Sequence, residues 1–152
     1  MYLLAICLLA LGDFLHAGLS RKTFVFYAIR DSSASVECRF LARSGDRETD
    51  IRRYVEQALL GPKLPGLALQ FSREVQVHSL LYREGIVFVN FTELAALPLP
   101  GGSVSRSFLT LNKGIRRNFP FVKDVRMFIG GNQVFFEEFR EFFTNSADNS
   151  KT

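Results

Sequence analysis

Cysteine, histidine and methionine are scarce in this 152-residue chain, with two of each. Cys7 and Cys38 supply neither a zinc cluster nor a disulfide framework. His16 lies in an apolar leader and His78 in a strand-like run, so no histidine has a catalytic neighbour in sequence. Glycine-rich phosphate loops are also missing. Neither a Gly-Lys-Ser/Thr ending nor a GxGxxG run is present, which removes the P-loop and the dinucleotide fingerprint. Ser103, in Gly102-Ser103-Val104-Ser105, lacks the following glycine of a nucleophile elbow and reads as a helix cap. No metal and no cofactor is expected. Excess charge is small as well: 19 Lys plus Arg against 15 Asp plus Glu leave +4, well short of a dedicated nucleic-acid binder, so no nucleic-acid partner is expected. What is present is apolar. At 47% hydrophobic and 22% charged, the chain can bury a core and has the size of one ordinary domain.

Residues 1–11 are apolar throughout. As a helix they span about 16 Å, half of a ~30 Å hydrocarbon layer, which is the length of a signal-peptide core. Residues 1–19 are therefore expected to be a signal peptide or membrane anchor, with Asp13 and His16 counting against a clean membrane span. Leu4-Ala5-Ile6-Cys7 faintly matches a lipoprotein box, although Ile6 stands where a small residue is wanted. The expected location is exported: periplasmic, extracytoplasmic or membrane-anchored.

Beyond the leader, β-branched and aromatic residues over 23–29 and loose alternation over 36–41 predict a two-stranded hairpin. Ile51, Tyr54, Val55, Ala58 and Leu59 make a helical stripe, with Asp46 or Thr49 as cap and Gly61-Pro62 as stop. Strands follow at 75–81 and 86–91, the latter apolar on both faces as a covered strand would be. A second helix opens at Ser103 and carries Val104, Phe108, Leu111 and Ile115 at helical spacing. Strands at 125–129 and 134–136 close a hairpin over Gly130-Gly131-Asn132. The order β-β-α-β-β-α-β-β predicts an α+β fold, with two helices packed on a mainly antiparallel sheet. Most of the 16 phenylalanines must fill its core. The tail, 137–152, is acidic and Phe-rich and is expected to be disordered at its end. Phe139, Phe142 and Phe143 at helical spacing would dock on the chain's own sheet or on a partner subunit.

Three classes of function remain. Between Leu94 and Val122 the only charges are Arg106, Lys113, Arg116 and Arg117. Arg106, Lys113 and Arg117 are spaced by seven and four residues, hence on one helix face. These four cations are the candidate interaction surface, for an acidic partner or for an anionic surface through the 106–117 helix. An exported hydrolase is the other alternative, and it would need Asp46, Asp50 or Glu93 to converge in one pocket. Glu137, Glu138 and Glu141 read as a solvated face, and Asn90-Phe91-Thr92 as a chance glycosylation sequon inside a strand.

The 23–41 hairpin, the Ala58-Leu59-Leu60-Gly61-Pro62 helix end, Gly85-Ile86-Val87-Phe88-Val89-Asn90-Phe91, Gly101-Gly102-Ser103 opening a helix, and the run from Val122 to Gly131 form an ordered set. In order and spacing it resembles the GerMN domain of bacterial sporulation, germination and envelope proteins, over residues 22–136. The resemblance implies an exported, membrane-associated, non-enzymatic protein–protein interaction module, similar to the ring-building domains of secretion assemblies. It also implies an envelope or membrane protein as partner, membrane association through the N-terminal segment, and homo-oligomerisation as a further option. Arg106, Phe108 and Lys113 replace the small residues usual in the second helix.

Overall fold

A computed structural model describes residues 18–135 of the chain. Most of the expected leader and all of the 137–152 tail, with Cys7, His16, Phe139, Phe142 and Phe143, lie outside the described residues.

Strands β1 (Leu19–Tyr27) and β2 (Ala34–Ala42) form an antiparallel hairpin paired from Leu19/Ala42 to Tyr27/Ala34. Alternation turns Phe24 and Phe26 of β1 into the core together with Glu37 and Arg39 of β2. Helix α1 (Arg47–Leu59) starts where the Asp46 carboxylate accepts from the Thr49 backbone N–H at 2.8 Å and its hydroxyl at 2.6 Å. These donors hold the exposed Asp46 carboxyl below its ordinary value. Ile51, Tyr54, Val55, Ala58 and Leu59 form its buried face. The helix stops at Gly61, which sits at φ +82° with so little room that a Cβ there would meet Leu69 at 2.2 Å.

Strands β3 (Val77–Arg83) and β4 (Ile86–Phe91) pair antiparallel around Glu84 and Gly85. A short 3-10 turn (Glu93–Ala96) and helix α2 (Val104–Asn118) lead back to β5 (Asp124–Ile129), which lies parallel to β4. Strand β6 (Asn132–Val134) turns back on β5.

The α+β class, the element order and the predominance of antiparallel pairs agree with the pattern read from the sequence. The expectation of one sheet does not hold. The hairpin forms a two-stranded sheet by itself, and β3-β4-β5-β6 form a second, four-stranded one. Helix α2 bridges them, packing on β1, on β5 and on α1. Strand β4 departs in part too: Val87, Val89 and Phe91 are buried, whereas Ile86, Phe88 and Asn90 are only half-buried. On that outer side the Arg126 guanidinium lies 5.6 Å from the centre of the Phe88 ring.

The core is aromatic where the helices pack on the two sheets. Tyr54 stacks on Phe24 at 4.6 Å and meets the edge of Phe119 at 5.7 Å, while Phe71, Phe91 and Phe108 pack mutually at 5.1–6.2 Å. Phe40 and Phe135 stay exposed.

Candidate interaction surface

The outward face of β1 and one face of α2 stand side by side because polar side chains lock them together. Asn118, the last residue of α2, accepts from the Thr23 N–H at 2.8 Å. Its amide nitrogen donates to the carbonyls of Thr23 and Gly114, each at 2.8 Å. Tyr54 donates to the same Thr23 carbonyl at 3.1 Å, and Gln70 donates to that of Val25 at 2.7 Å. Farther along, the Ala68 N–H donates to the Tyr27 carbonyl at 2.8 Å. The free edge of β1 is thus closed by side chains and a loop rather than by a strand. Burial against Asn118 and the Phe119 ring pushes the Lys22 ammonium below its ordinary value, with Asp50 opposing. Asn118→Ala removes these three bonds and is expected to cost about 1–3 kcal/mol of stability, read from urea unfolding of the full chain.

Between β1 and α2 lies a groove of about 270 Å³. Thr23, Val25 and Tyr27 line it from β1; Leu109, Thr110 and Gly114 line it from α2, with Arg106, Lys113 and Arg117 as its cationic members. It adjoins a depression of about 450 Å³ at the start of α2, which shares Tyr27 and Arg106 and is otherwise largely apolar, with Ile29, Leu67 and Leu69. The Arg106 guanidinium lies 5.5 Å from the Tyr27 ring centre, and Tyr27 Oη is 3.2 Å from Thr110 Oγ1.

Three of the four expected cations therefore meet in one place. Arg116 is exposed and does not line the groove, so the structure separates it from the set. Every ion pair among the described residues lies elsewhere, and none includes Arg106, Lys113, Arg116 or Arg117. The β1 half of the groove escaped the sequence reading. Alternation marks Thr23, Val25 and Tyr27 as one face, but not which helix lies beside it.

The carboxylates named for hydrolysis do not converge. Asp46 caps α1, and Asp50 accepts from the Ser44 N–H and hydroxyl at 2.7 and 2.8 Å. Glu93 lies in the 3-10 turn, lining an open depression with His78 and Asn90. Ser103 caps α2, accepting from the Arg106 N–H at 3.4 Å. Asn90 of the sequon is half-buried and accepts from the Gly131 N–H at 3.0 Å. Among the described residues, no three or more His, Cys, Asp or Glu side chains are grouped to hold a metal ion. None of the described helices is long and apolar enough to cross a membrane.

Two helices on antiparallel and mixed sheets, in this order, place the chain in the GerMN fold. Similar solved structures are the tandem GerMN domains of the sporulation protein GerM from Bacillus subtilis (TM-score 0.57, 19% identity, covering 76% of this chain and 40% of that one) and the first GerMN domain of that protein (0.50, 13%, 74% and 85%). A third is a Clostridium perfringens protein assigned as a lipoprotein (0.51, 16%, 78% and 79%). The chain thus spans less than half of the tandem protein. No family profile matches the sequence, and no curated protein sequence matches it significantly.

Proposed function

We propose that this chain is a non-catalytic protein–protein interaction module of the bacterial cell envelope that receives an acidic segment of a partner protein in the groove between β1 and α2. One observation carries the reading: Arg106, Lys113 and Arg117 converge on a groove with apolar and hydroxyl walls, and no carboxylate among the described residues pairs with them. An extended acidic segment would supply the missing carboxylates and cover Val25, Tyr27 and Leu109. Each exposed pair contributes only about 0.2–1 kcal/mol, so specificity comes from the three acting together with the apolar contact. The envelope assignment is supported by the apolar residues 1–11 and by the likeness to a GerM domain and to a protein assigned as a lipoprotein.

The test is photo-crosslinking of the full chain in bacterial cells from a benzoylphenylalanine at Leu109, followed by fractionation. A discrete protein adduct is expected in the envelope fraction. It should be lost in the triple variant Arg106→Glu, Lys113→Glu, Arg117→Glu and retained in Arg116→Glu. An adduct indifferent to the triple reversal overturns the groove, and recovery in the cytoplasm overturns the envelope assignment.

A further inference from the structure

The two outer edges of the β1–β2 hairpin are treated differently. Along β1, Asn118, Tyr54, Gln70 and Ala68 meet the outward-facing N–H and C=O of Thr23 and the carbonyls of Val25 and Tyr27. Because the N–H and C=O of Thr23 point away from β2, the Thr23/Cys38 pair is of the non-hydrogen-bonded kind, and the N–H and C=O of Cys38 point away from β1. The period of two extends this to Val36, opposite Val25, and to Phe40, opposite Arg21. Of the outward groups on β2 only the Ala42 carbonyl is met, by Arg53. Among the described residues, nothing bonds to the main chain of Val36, Cys38 or Phe40.

Of the side chains on this edge, Cys38 alone has a polar partner, its Sγ accepting from the Arg21 guanidinium at 3.2 Å. Val36 is 54% exposed, Phe40 67%, and Cys38 is exposed between them. The charged residues of the strand, Glu37 and Arg39, are turned inward. The outward row Ala34, Val36, Cys38, Phe40 and Ala42 therefore has no charge, and the register shows neither a bulge nor a proline. Edge strands left this flat, open and apolar are templates for another strand.

A second copy fits this row because the row is self-complementary about Cys38, its central residue. In an antiparallel pair centred there, Val36 faces Phe40 of the second copy, Cys38 faces Cys38, and the free N–H and C=O groups at 36, 38 and 40 meet in about six hydrogen bonds. Within the row itself no like charges oppose one another, and the exposed Arg21 guanidinium, 3.2 Å from Cys38 Sγ on the neighbouring strand, turns out to solvent in the pair. We propose that two copies of this chain join through antiparallel pairing of their β2 strands about Cys38, making one four-stranded sheet from two hairpins. This contact lies on the opposite edge of the hairpin from the β1–α2 groove and does not depend on it.

The test uses the full chain in mild detergent with Cys7→Ser, leaving Cys38 as the single thiol. Light scattering across a concentration series is expected to show a dimer, and a short bis-maleimide to link Cys38 to Cys38. Phe40→Lys would place a charged side chain across from the apolar Val36 of the second copy, on both sides of the pair. It should shift the protein to monomer and lower the cross-linking yield at least tenfold, at some cost in thermal stability because it also sets a cation opposite Arg21 within the hairpin, whereas Val36→Lys, opposite Val25, should break the pair with thermal unfolding unchanged. The Arg106, Lys113 and Arg117 reversals should leave the dimer intact. A monomer at every concentration, a dimer that survives Phe40→Lys, or linkage of Cys38 only to a different protein in cells overturns the proposal.

Discussion

Arg39→Met is expected to destabilise the fold by about 3–5 kcal/mol, because it strands a buried charge rather than merely deleting a contact. Arg39 is 5% exposed. It donates to Glu37 at 2.7 Å and to the carbonyls of Gln57 and Gly61 at 2.8 and 2.6 Å, satisfying the end of α1. Its guanidinium also lies 4.7 Å from the centre of the Phe24 ring. Methionine can fill the space but bonds to none of these groups, and Glu37 keeps only backbone donors, the Lys63 N–H at 3.0 Å and that of Leu64. Urea unfolding of the full chain, followed by circular dichroism, measures the loss. Replacing both partners, Glu37→Leu with Arg39→Met, should recover much of it, since no charge is then left unpaired.

The same pair sets a pH dependence. Burial pushes the Glu37 carboxyl up, but the bonds from Arg39 and the Lys63 N–H outweigh it and hold the group below its ordinary value. A folded-state value below the unfolded one contributes stability above the unfolded pKa, near ~4.3, and that contribution is lost as pH falls through the folded value. The wild type should therefore lose stability on acidification below about pH 4. In Arg39→Met only burial and the backbone N–H groups of Lys63 and Leu64 remain, so protonation of Glu37 relieves the stranded charge. The gap between variant and wild type should narrow on acidification, and a gap constant from pH 6 to about 3 would contradict this account.

The second large effect is expected at Gly114, where α2 crosses α1. Glycine in a helix interior normally costs about 1 kcal/mol relative to alanine, so Gly→Ala at an open site stabilises. Here a Cβ would stand 2.3 Å from Tyr54 Oη and 3.3 Å from Cζ. Tyr54 is 2% exposed and held by its bond to the Thr23 carbonyl, so it has little room to yield. Its burial pushes the phenol pKa up, which keeps the hydroxyl a donor. Gly114→Ala is expected to destabilise by about 1–3 kcal/mol, and Gly114→Val by more. Tyr54→Phe removes the clashing oxygen. Although it costs about 1 kcal/mol alone, it should make the Gly114→Ala background no worse or better. Additive losses in the double variant would show that the strain lies elsewhere.

Much of this architecture was legible because its signals are local. The buried face of α1 is the stripe read from Ile51 to Leu59, and the asparagine closing α2 is the one before Phe119 and Pro120. The 3.6-residue period, Asp46 and Ser103 as caps, and Gly61 as a stop act within a turn of the residues they control. The cationic members of the groove were legible for the same reason: Arg106, Lys113 and Arg117 share a face by spacing alone. Arg116 was not separable from them by its charge, and only the position of β1 beside α2 leaves it out. The inward turn of Glu37 and Arg39 is a different case. Alternation puts them on one face of β2, and only the carbonyls of Gln57 and Gly61, distant in sequence, let that face be the buried one.

By itself, then, the sequence determined which segments are helices and strands, their order, their apolar faces and the cationic ridge. The tertiary structure alone decided that the strands divide between two sheets, that β4 and β5 run parallel, that α2 lies beside β1, and that the β1 edge is closed while β2 stays open. The physical reason is that a period of two states which side chains share a face but carries no information about which distant strand or helix comes to lie against it. That choice is made by the whole core, where Tyr54, Phe24 and Phe119 must fit one another at once.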